Sequence, residues 1–215
     1  MIAGIVLAAG SSSRLGRPKQ LLPLQGEPLL RFTLRRIITT NLDAVYVVLG
    51  HHRDTITRAI EDVPVRIVDN PHAERGQSTS VLAGLNAVAA AEPDAVMFLL
   101  GDQPLVDPEV VNRLISRWQE TRTGVVAPRY TGYPGRNPIL FDRLVLPELM
   151  TLTGDIGARD IVRAHQMRGD ISLVDVDTPA PRDVDTEADY RELLASLASE
   201  SSADAPCFDW CAEPE

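Results

Sequence analysis

Ile2-Ala3-Gly4-Ile5-Val6-Leu7-Ala8-Ala9-Gly10-Ser11-Ser12-Ser13-Arg14-Leu15-Gly16-Arg17-Pro18-Lys19 opens the chain. Residues 2–9 are an unbroken apolar run, too short for the roughly 20 residues a membrane-spanning helix needs. No basic stretch precedes it, so it does not read as a secretory signal. It reads as a strand buried on both faces that ends in a Gly/Ser-rich turn carrying Arg14 and Lys19. In open α/β sheets the ligand sits at the carboxyl ends of the strands. The stretch therefore predicts both the fold and the place of the site.

Working outward, strand and helix patterns alternate. Residues 28–40 space Leu29, Leu30, Leu34, Ile37 and Ile38 along one helix face. Residues 44–49 form a second strand, 54–62 a short helix and 65–68 a third strand. An Ala-rich helix over 77–91 turns Val81, Leu82, Leu85 and Val88 inward. The very apolar strand 95–100 stops at Gly101-Asp102, and a helix over 108–120 opens with Pro108 behind Asp107 as cap. The second half is less regular: strands at 125–127, 138–141 and 171–176, and helices at 157–167 and 187–198. The fold class expected is α/β, a three-layer α/β/α sandwich around a mostly parallel, mixed sheet. The site is then expected after Ala9, after Val68 and after Leu100.

Composition agrees with one domain. The chain has 215 residues, 44% hydrophobic and 24% charged, ordinary for a globular protein of a size that needs no disulfide or structural metal. The net charge is −9. Five of the negative charges, Glu200, Asp204, Asp209, Glu213 and Glu215, fall in the last sixteen residues, where no Lys or Arg occurs; without them the count is −4. No basic footprint for nucleic acid exists, and a phosphate site must be a local basic pocket. The only cysteines, Cys207 and Cys211, lie in that acidic stretch, which fits a cytoplasmic protein. Their spacing suits half a zinc site or a redox pair, but the composition favours an unstructured tail. The domain is expected over 1–198 and the tail over 199–215. His51-His52 follows a strand and could flank the site, but it lacks Cys or carboxylate partners at metal-ligand spacing and reads better as exposed loop.

Three segments bear chemistry. In the first loop, glycines admit a ligand close to the backbone, whose N–H groups cradle anionic oxygens, while Arg14 and Lys19 suit a triphosphate. It is not a P-loop: Gly10 and Gly16 are separated by five residues, not four, and Lys19 comes three later. The Gly-x-Gly-x-x-Gly dinucleotide fingerprint is also absent. The bland alternative is a turn with surface cations. Gly101-Asp102-Gln103-Pro104 places at a strand end a carboxylate able to hold Mg²⁺; a turn or cap aspartate reads as well. In Asp183-Val184-Asp185-Thr186-Glu187, either Asp185 or Thr186 can cap the last helix, or Asp185 is a second metal ligand.

Leu7-Ala8-Ala9-Gly10 with Arg14, Gly16 and Lys19, followed by Gly101-Asp102-Gln103-Pro104, resembles the MobA-like nucleotidyltransferase family, and within it the molybdenum cofactor cytidylyltransferases. The resemblance spans residues 1–198 and is strengthened by Gly154-Asp155-Ile156-Gly157-Ala158-Arg159 and Asp185-Thr186. It implies that Leu7, Ala8, Ala9 and Gly10 line the base and sugar, with Gly76 and Ser80 as a second contact. Arg14 and Lys19 would bind the triphosphate, and Lys19, Arg14 and Asp102 would be catalytic. Asp102 and Asp185 would hold Mg²⁺, the one cofactor. Arg136, Asn137, Asp155 and Arg159 would face the acceptor. Where relatives read Arg-Gly-His-Pro or Arg-Gly-Asn-Pro, this chain has Gly135-Arg136-Asn137-Pro138, an inverted pair.

The implied reaction transfers CMP from CTP to the phosphate of molybdopterin and releases pyrophosphate. Such transfer needs positioning and charge neutralisation rather than a nucleophile–base pair. A molybdenum hydroxylase or its chaperone is the implied protein partner; no nucleic acid or membrane partner is expected. Family members that use GTP carry Leu-Ala-Gly-Gly in the first loop, so the Ala9 methyl is expected to favour CTP. Two alternatives stand: a guanylyltransferase or sugar-phosphate nucleotidyltransferase, and a non-catalytic protein that holds and delivers the cofactor.

Overall fold

A computed structural model describes residues 1–133, 136–155 and 157–203. Its elements follow the alternation of the sequence. Strand β1 (Ile2–Leu7) leads through a 3-10 turn at Lys19–Leu21 to a small hairpin, β2 (Pro23–Leu24) and β3 (Glu27–Pro28), and then to α1 (Leu29–Ile37). Next come β4 (Ala44–Leu49), α2 (Arg53–Ala59), β5 (Arg66–Asp69), α3 (Gln77–Ala89), β6 (Ala95–Leu100) and α4 (Pro108–Thr121). The second half holds β7 (Val125–Tyr130), β8 (Ile139–Asp142), α5 (Leu146–Leu149), α6 (Arg159–Arg168), β9 (Ile171–Val176) and α7 (Glu187–Ala203).

Seven strands form one sheet in the order β5-β4-β1-β6-β8-β7-β9. β8 runs antiparallel to both its neighbours, and the remaining pairs are parallel. The sheet is mostly parallel and mixed, as the sequence indicates. Side chains alternate across it. Ile2 and Val6 of β1, Val45, Val47 and Leu49 of β4, and Met97 and Leu99 of β6 join one core with Leu34 of α1, Ile56 of α2 and Leu114 of α4. Ala3 and Ile5, Tyr46 and Val48, and Val96 and Phe98 join a second core with Val81 and Leu85 of α3 and Val162 of α6. Burial on both faces explains why these strands read as continuous apolar runs.

The chain runs outward from β1 through β4 to β5, then returns to place β6 on the other side of β1. The crevice therefore opens where the connections diverge, at the carboxyl ends of β1 and β6. Leu7 pairs with both Val48 and Leu100, which brings the three strand ends level. A third cluster, Leu22, Leu24, Leu29, Val184, Tyr190 and Leu193, pins α7 and its lead-in to the hairpin. That packing carries Asp183 and Asp185 to the same end of the sheet.

Boundaries differ from the sequence pattern in physical detail. α1 starts at Leu29, after Pro28 as N-cap, because proline has no N–H to lose there. β7 extends to Tyr130 because it pairs along its length with β9. The β2–β3 hairpin and α5 escaped the pattern, being only two and four residues long respectively. α7 continues to Ala203, past residue 198. Cys207, Cys211 and the tail charges from Asp204 onward lie outside the described residues, as do Gly135 and Ile156.

Candidate active site

The first loop is shaped by backbone bonds before any side chain acts. Ala8 N–H donates to Val48 O (3.0 Å) and Gly101 N–H to Leu7 O (2.9 Å), tying the loops after β1 and β6 together. Gly101 has a specific reason to be glycine: a Cβ there would lie 2.8 Å from Ala8 Cβ, closer than packed atoms approach. Beyond Gly10 the chain turns at Ser12 (φ +54°) and Gly16 (φ +65°). Leu15 and Gly16 N–H both donate to Ser12 O, while Ser12 Oγ accepts Lys19 N–H at 3.0 Å. Gln20 is buried, and its Nε2 donates to Ala8 O (2.7 Å) and Gly10 O (3.2 Å). These contacts fix the loop and turn Lys19 inward.

Lys19 meets two carboxylates. Its Nζ bonds Asp102 Oδ2 and Asp185 Oδ1, the latter at 2.8 Å. Arg14 bonds the other Asp185 oxygen at 2.8 Å. Asp102 Oδ1 is buried and meets no hydrogen-bond partner among the described residues. Burial disfavours the Lys19 ammonium, but the charges and hydrogen bonds of Asp102 and Asp185 outweigh it and raise its pKa above the usual lysine value. Burial pushes Asp185 upward, yet hydrogen bonds and charge from Lys19 and Arg14 leave its carboxyl below the ordinary range. Asp183 goes the other way, raised by burial and by the nearby Asp102 charge, with Gln103 Nε2 donating to its Oδ1 at 2.8 Å.

The choice between caps for α7 is settled by geometry. Thr186 Oγ1 accepts Asp189 N–H (3.2 Å), while Asp189 Oδ2 accepts from Thr186 N–H (2.7 Å) and Asp185 N–H (3.1 Å). This reciprocal box makes Thr186 the cap and leaves the Asp185 side chain to the cations.

Across the crevice stand Gly50, the residues 73–77 and the start of α3. Gly76 has φ +110°, and a Cβ on it would sit 2.6 Å from Gly154 C and O. That close approach lets Ser78 N–H donate to Gly154 O (3.2 Å) and Gln77 N–H to Asp155 Oδ1 (3.3 Å). The result is a cleft of about 710 Å³ lined by Leu7, Ala8, Ala9, Gly10, Lys19, Gly76, Ser80, Asp102 and Asp155 among others. Its volume suits a nucleotide-sized ligand.

Not every residue singled out in the sequence reaches it. Arg136 Nη2 donates to Gln166 Oε1 on α6 (3.2 Å). Asn137 O accepts from Tyr130 Oη (3.1 Å). Arg159 is exposed at the start of α6. None of the three lines the cleft, and Arg14 and Asp185 stand just outside its lining, joined to it through Lys19. Conversely Gln20, His51, Arg75 and Asp183 do line it. Gln20 and Asp183 adjoin motifs already legible, but nothing in the local pattern marks their side chains as inward. His51 and His52 are exposed, as expected. Among the described residues no group of three or more His, Cys, Asp or Glu has metal-holding geometry, and no helix is long and apolar enough to cross a membrane.

Residues 4–169 match the MobA-like NTP transferase domain. The chain belongs to this nucleotidyltransferase family. Similar curated proteins span nearly its whole length and differ in what they are named for. Purine catabolism protein PucB of Bacillus subtilis is 29% identical, covering 92% of this chain and 98% of its own. Nicotine blue oxidoreductase of Paenarthrobacter nicotinovorans is 31% identical, covering 90% and 96%. A probable molybdenum cofactor guanylyltransferase of Mycobacterium avium is 28% identical, covering 92% and 97%. Among solved structures, Rv0371c of Mycobacterium tuberculosis in complex with manganese superposes with a TM-score of 0.77 at 33% identity, covering 91% of this chain and 98% of that one. For a MobA-like domain, the loop after β1, Asp102 after β6 and the α7 lead-in converge where the α/β fold places its ligand.

Proposed function

We propose that this protein is a magnesium-dependent nucleotidyltransferase that transfers CMP from CTP to the phosphate of molybdopterin and releases pyrophosphate. The observation that carries the reading is the constellation of Lys19 between Asp102 and Asp185 at the foot of the glycine-bearing loop. A cation, two carboxylates and a row of backbone N–H groups are the parts that nucleotidyl transfer needs.

Mg²⁺ fits the residues present. Asp102 Oδ1 is a buried acceptor with no partner among the described residues, and Asp185 faces the same ammonium from the other side. Mg²⁺ takes one or two carboxylates and completes its shell with phosphate oxygens and water, so two aspartates suffice. When bound it would supply charge neutralisation between the phosphates. The protein's own residues do the rest. Backbone N–H groups of residues 10–13 hold the phosphate oxygens, and Lys19 and Arg14 turn from Asp185 toward the triphosphate. An acceptor phosphate oxygen attacks the α-phosphorus in line. The new P–O bond forms as the bond to the β-phosphate breaks, and pyrophosphate leaves with the electron pair. Lys19 stabilises the charge that develops there. Asp155, on the far wall of the cleft, is placed to meet the acceptor.

CTP is favoured because Ala9, not glycine, ends the loop against Gly50. Ala9 is buried and lines the cleft, and its added methyl leaves less room for a purine than glycine would. The name of the Mycobacterium avium relative supports the molybdenum cofactor as acceptor and makes GTP the rival nucleotide. The test is pyrophosphate release across four nucleoside triphosphates and several phosphorylated acceptors with Mg²⁺. Fastest turnover with CTP and molybdopterin is expected, with GTP a weaker substrate. Tight nucleotide or cofactor binding without pyrophosphate release under any pairing would replace the enzyme with a delivery protein.

A further inference from the structure

One carboxylate of the cleft takes no part in the proposed reaction. Asp183 is exposed to the cleft it lines, close enough to Asp102 and Asp185 to feel their charge. Those two aspartates hold Lys19, and Asp185 holds Arg14 as well. Asp183 bonds neither cation. Its hydrogen-bond donor among the described residues is Gln103, whose Nε2 stands 2.8 Å from Oδ1. An ionised carboxylate only accepts, so the amide nitrogen of Gln103 must be the atom that faces it.

Gln103 is anchored for this contact. It is 5% exposed, and its backbone is fixed in the turn after β6. Its N–H donates to Leu100 O (3.3 Å), and its O accepts Val106 N–H (3.2 Å). A second bond runs alongside, from Val184 N–H to Asp102 O (3.0 Å). Residues 102 and 103 thus hold residues 183 and 184, while the Val184 side chain is buried in the cluster that pins α7. The Gln103 bond takes one oxygen of Asp183. The other, Oδ2, meets no donor among the described residues and is left for whatever enters the cleft.

Mg²⁺ held by two aspartates and by phosphate oxygens keeps water in its remaining positions. The lone pair of such a water is spent on the metal, so the water can only donate, and it needs an acceptor nearby. Lys19 and Arg14 cannot be that acceptor, because both are donors. We propose that Asp183, oriented by Gln103, is the outer carboxylate that takes this hydrogen bond, which makes Gln103 a positioning residue for metal binding. Partners of this kind, one step removed from the metal, are worth about 10- to 100-fold in metal affinity. The inference rests on the metal reading of Asp102 and Asp185 and is independent of which base the cleft takes.

The experiment titrates Mg²⁺ against binding of CTP, and separately of GTP, to the full chain without acceptor, so that affinity and not turnover is read. Asp183→Asn keeps the bond from Gln103, because the Asn oxygen turns to it, and presents an NH₂ where the water needs an acceptor. The Mg²⁺ concentration for half-maximal binding should rise about 10- to 100-fold, with triphosphate affinity at saturating Mg²⁺ near wild type. Gln103→Leu removes the donor at similar volume and should act in the same direction, toward the lower end of that range. Added to Asp183→Asn it should change the Mg²⁺ requirement no further, a non-additivity that marks action through Asp183. An unchanged Mg²⁺ requirement in Asp183→Asn overturns the proposal. So does a Gln103→Leu effect that persists undiminished beside Asp183→Asn, or one that lowers the melting temperature alone. A wild type whose triphosphate binding ignores Mg²⁺ overturns the metal reading itself, and the proposal with it.

Discussion

Asp102→Asn isolates the charge of one atom pair in the site. The two side chains have nearly the same volume, so packing against Lys19 and the Val184 backbone, whose N–H donates to Asp102 O at 3.0 Å, is kept. The amide must turn its oxygen to the Lys19 ammonium, because two donors repel. Its NH₂ then occupies the position of the buried, unpartnered Oδ1. A donor stands where a divalent cation needs an acceptor. The loss in transition-state stabilisation is that of a metal contact, several kcal/mol; at about 4 kcal/mol the rate falls roughly a thousandfold. Stability changes much less. Removing the sole partner of a buried charge costs about 3–5 kcal/mol, but Lys19 keeps Asp185 at 2.8 Å, so the cost should be nearer that of one charged hydrogen bond, about 1.5–3 kcal/mol. For a domain of this size that is a drop of about 3–12 °C in melting temperature. The assays are pyrophosphate release at saturating Mg²⁺ and a thermal melt of the same preparation. Wild-type turnover would refute the metal-binding role, and a loss of turnover that merely tracks unfolding would refute the argument that the site, not the fold, was damaged.

Asp185→Asn should lower turnover less than Asp102→Asn, since Asp185 is more exposed and both its oxygens are already held by Lys19 and Arg14; an effect as large as that at Asp102 would contradict this ranking. The same variant should flatten the acid limb of stability. The lowered pKa of Asp185 means its contribution is present above the ordinary carboxylate value, about pH 4, and is lost as pH falls through its folded value, so melting temperatures of wild type and variant should converge in acid. Ala9→Gly should narrow the preference for CTP over GTP by about 10- to 200-fold, the worth of one methyl in a pocket, read as the ratio of kcat/KM values. Truncation after Ala203 should leave pyrophosphate release and melting temperature unchanged, because Tyr190, Leu193 and Leu197 anchor α7 and are all retained; unfolding of the truncated chain would show a structural role for residues 204–215.

The fold was largely legible because its strands are buried on both faces. Ile2 and Val6 had to be apolar for one core and Ala3 and Ile5 for the other, so the strand reads as one run. The candidate site was legible where the backbone does the work: Gly10, Gly76 and Gly101 mark close approaches. It was opaque where a side chain's role depends on a partner far along the chain. Nothing near Gln20 says that it holds the Ala8 carbonyl, and nothing near Asn70 says that it meets Ser80 ten residues on. Asp185 and Thr186 were indistinguishable as caps until Asp189 closed the box on Thr186. The acceptor side was the least legible. Arg136 and Arg159 carry the charges a phosphorylated acceptor needs, yet Arg136 turns to Gln166 and Arg159 to solvent, since loop side chains far from a strand end are placed by local partners rather than by the sheet.

Electrostatics supports the proposed enzyme over a delivery protein. A protein that only holds an anionic cofactor gains from cations in its cleft and loses from every carboxylate beside them. This cleft does the opposite. Asp102 and Asp185 both bond Lys19, Asp185 also bonds Arg14, and Asp183 lies nearby; burial and the Asp102 charge raise the Asp183 pKa, and Asp102 Oδ1 is buried with no partner among the described residues. The raised Asp183 and the unpartnered Asp102 oxygen are unfavourable in the ligand-free protein, and these carboxylates would repel a phosphate. It becomes favourable when a divalent cation enters between carboxylate and phosphate, which releases Lys19 for the triphosphate. The arrangement thus suits a site that assembles its charge balance only with metal and nucleotide together. On this argument, triphosphate binding should strengthen steeply with added Mg²⁺ in the wild type and hardly at all in Asp102→Asn. Nucleotide affinity indifferent to Mg²⁺ in both proteins would favour simple delivery.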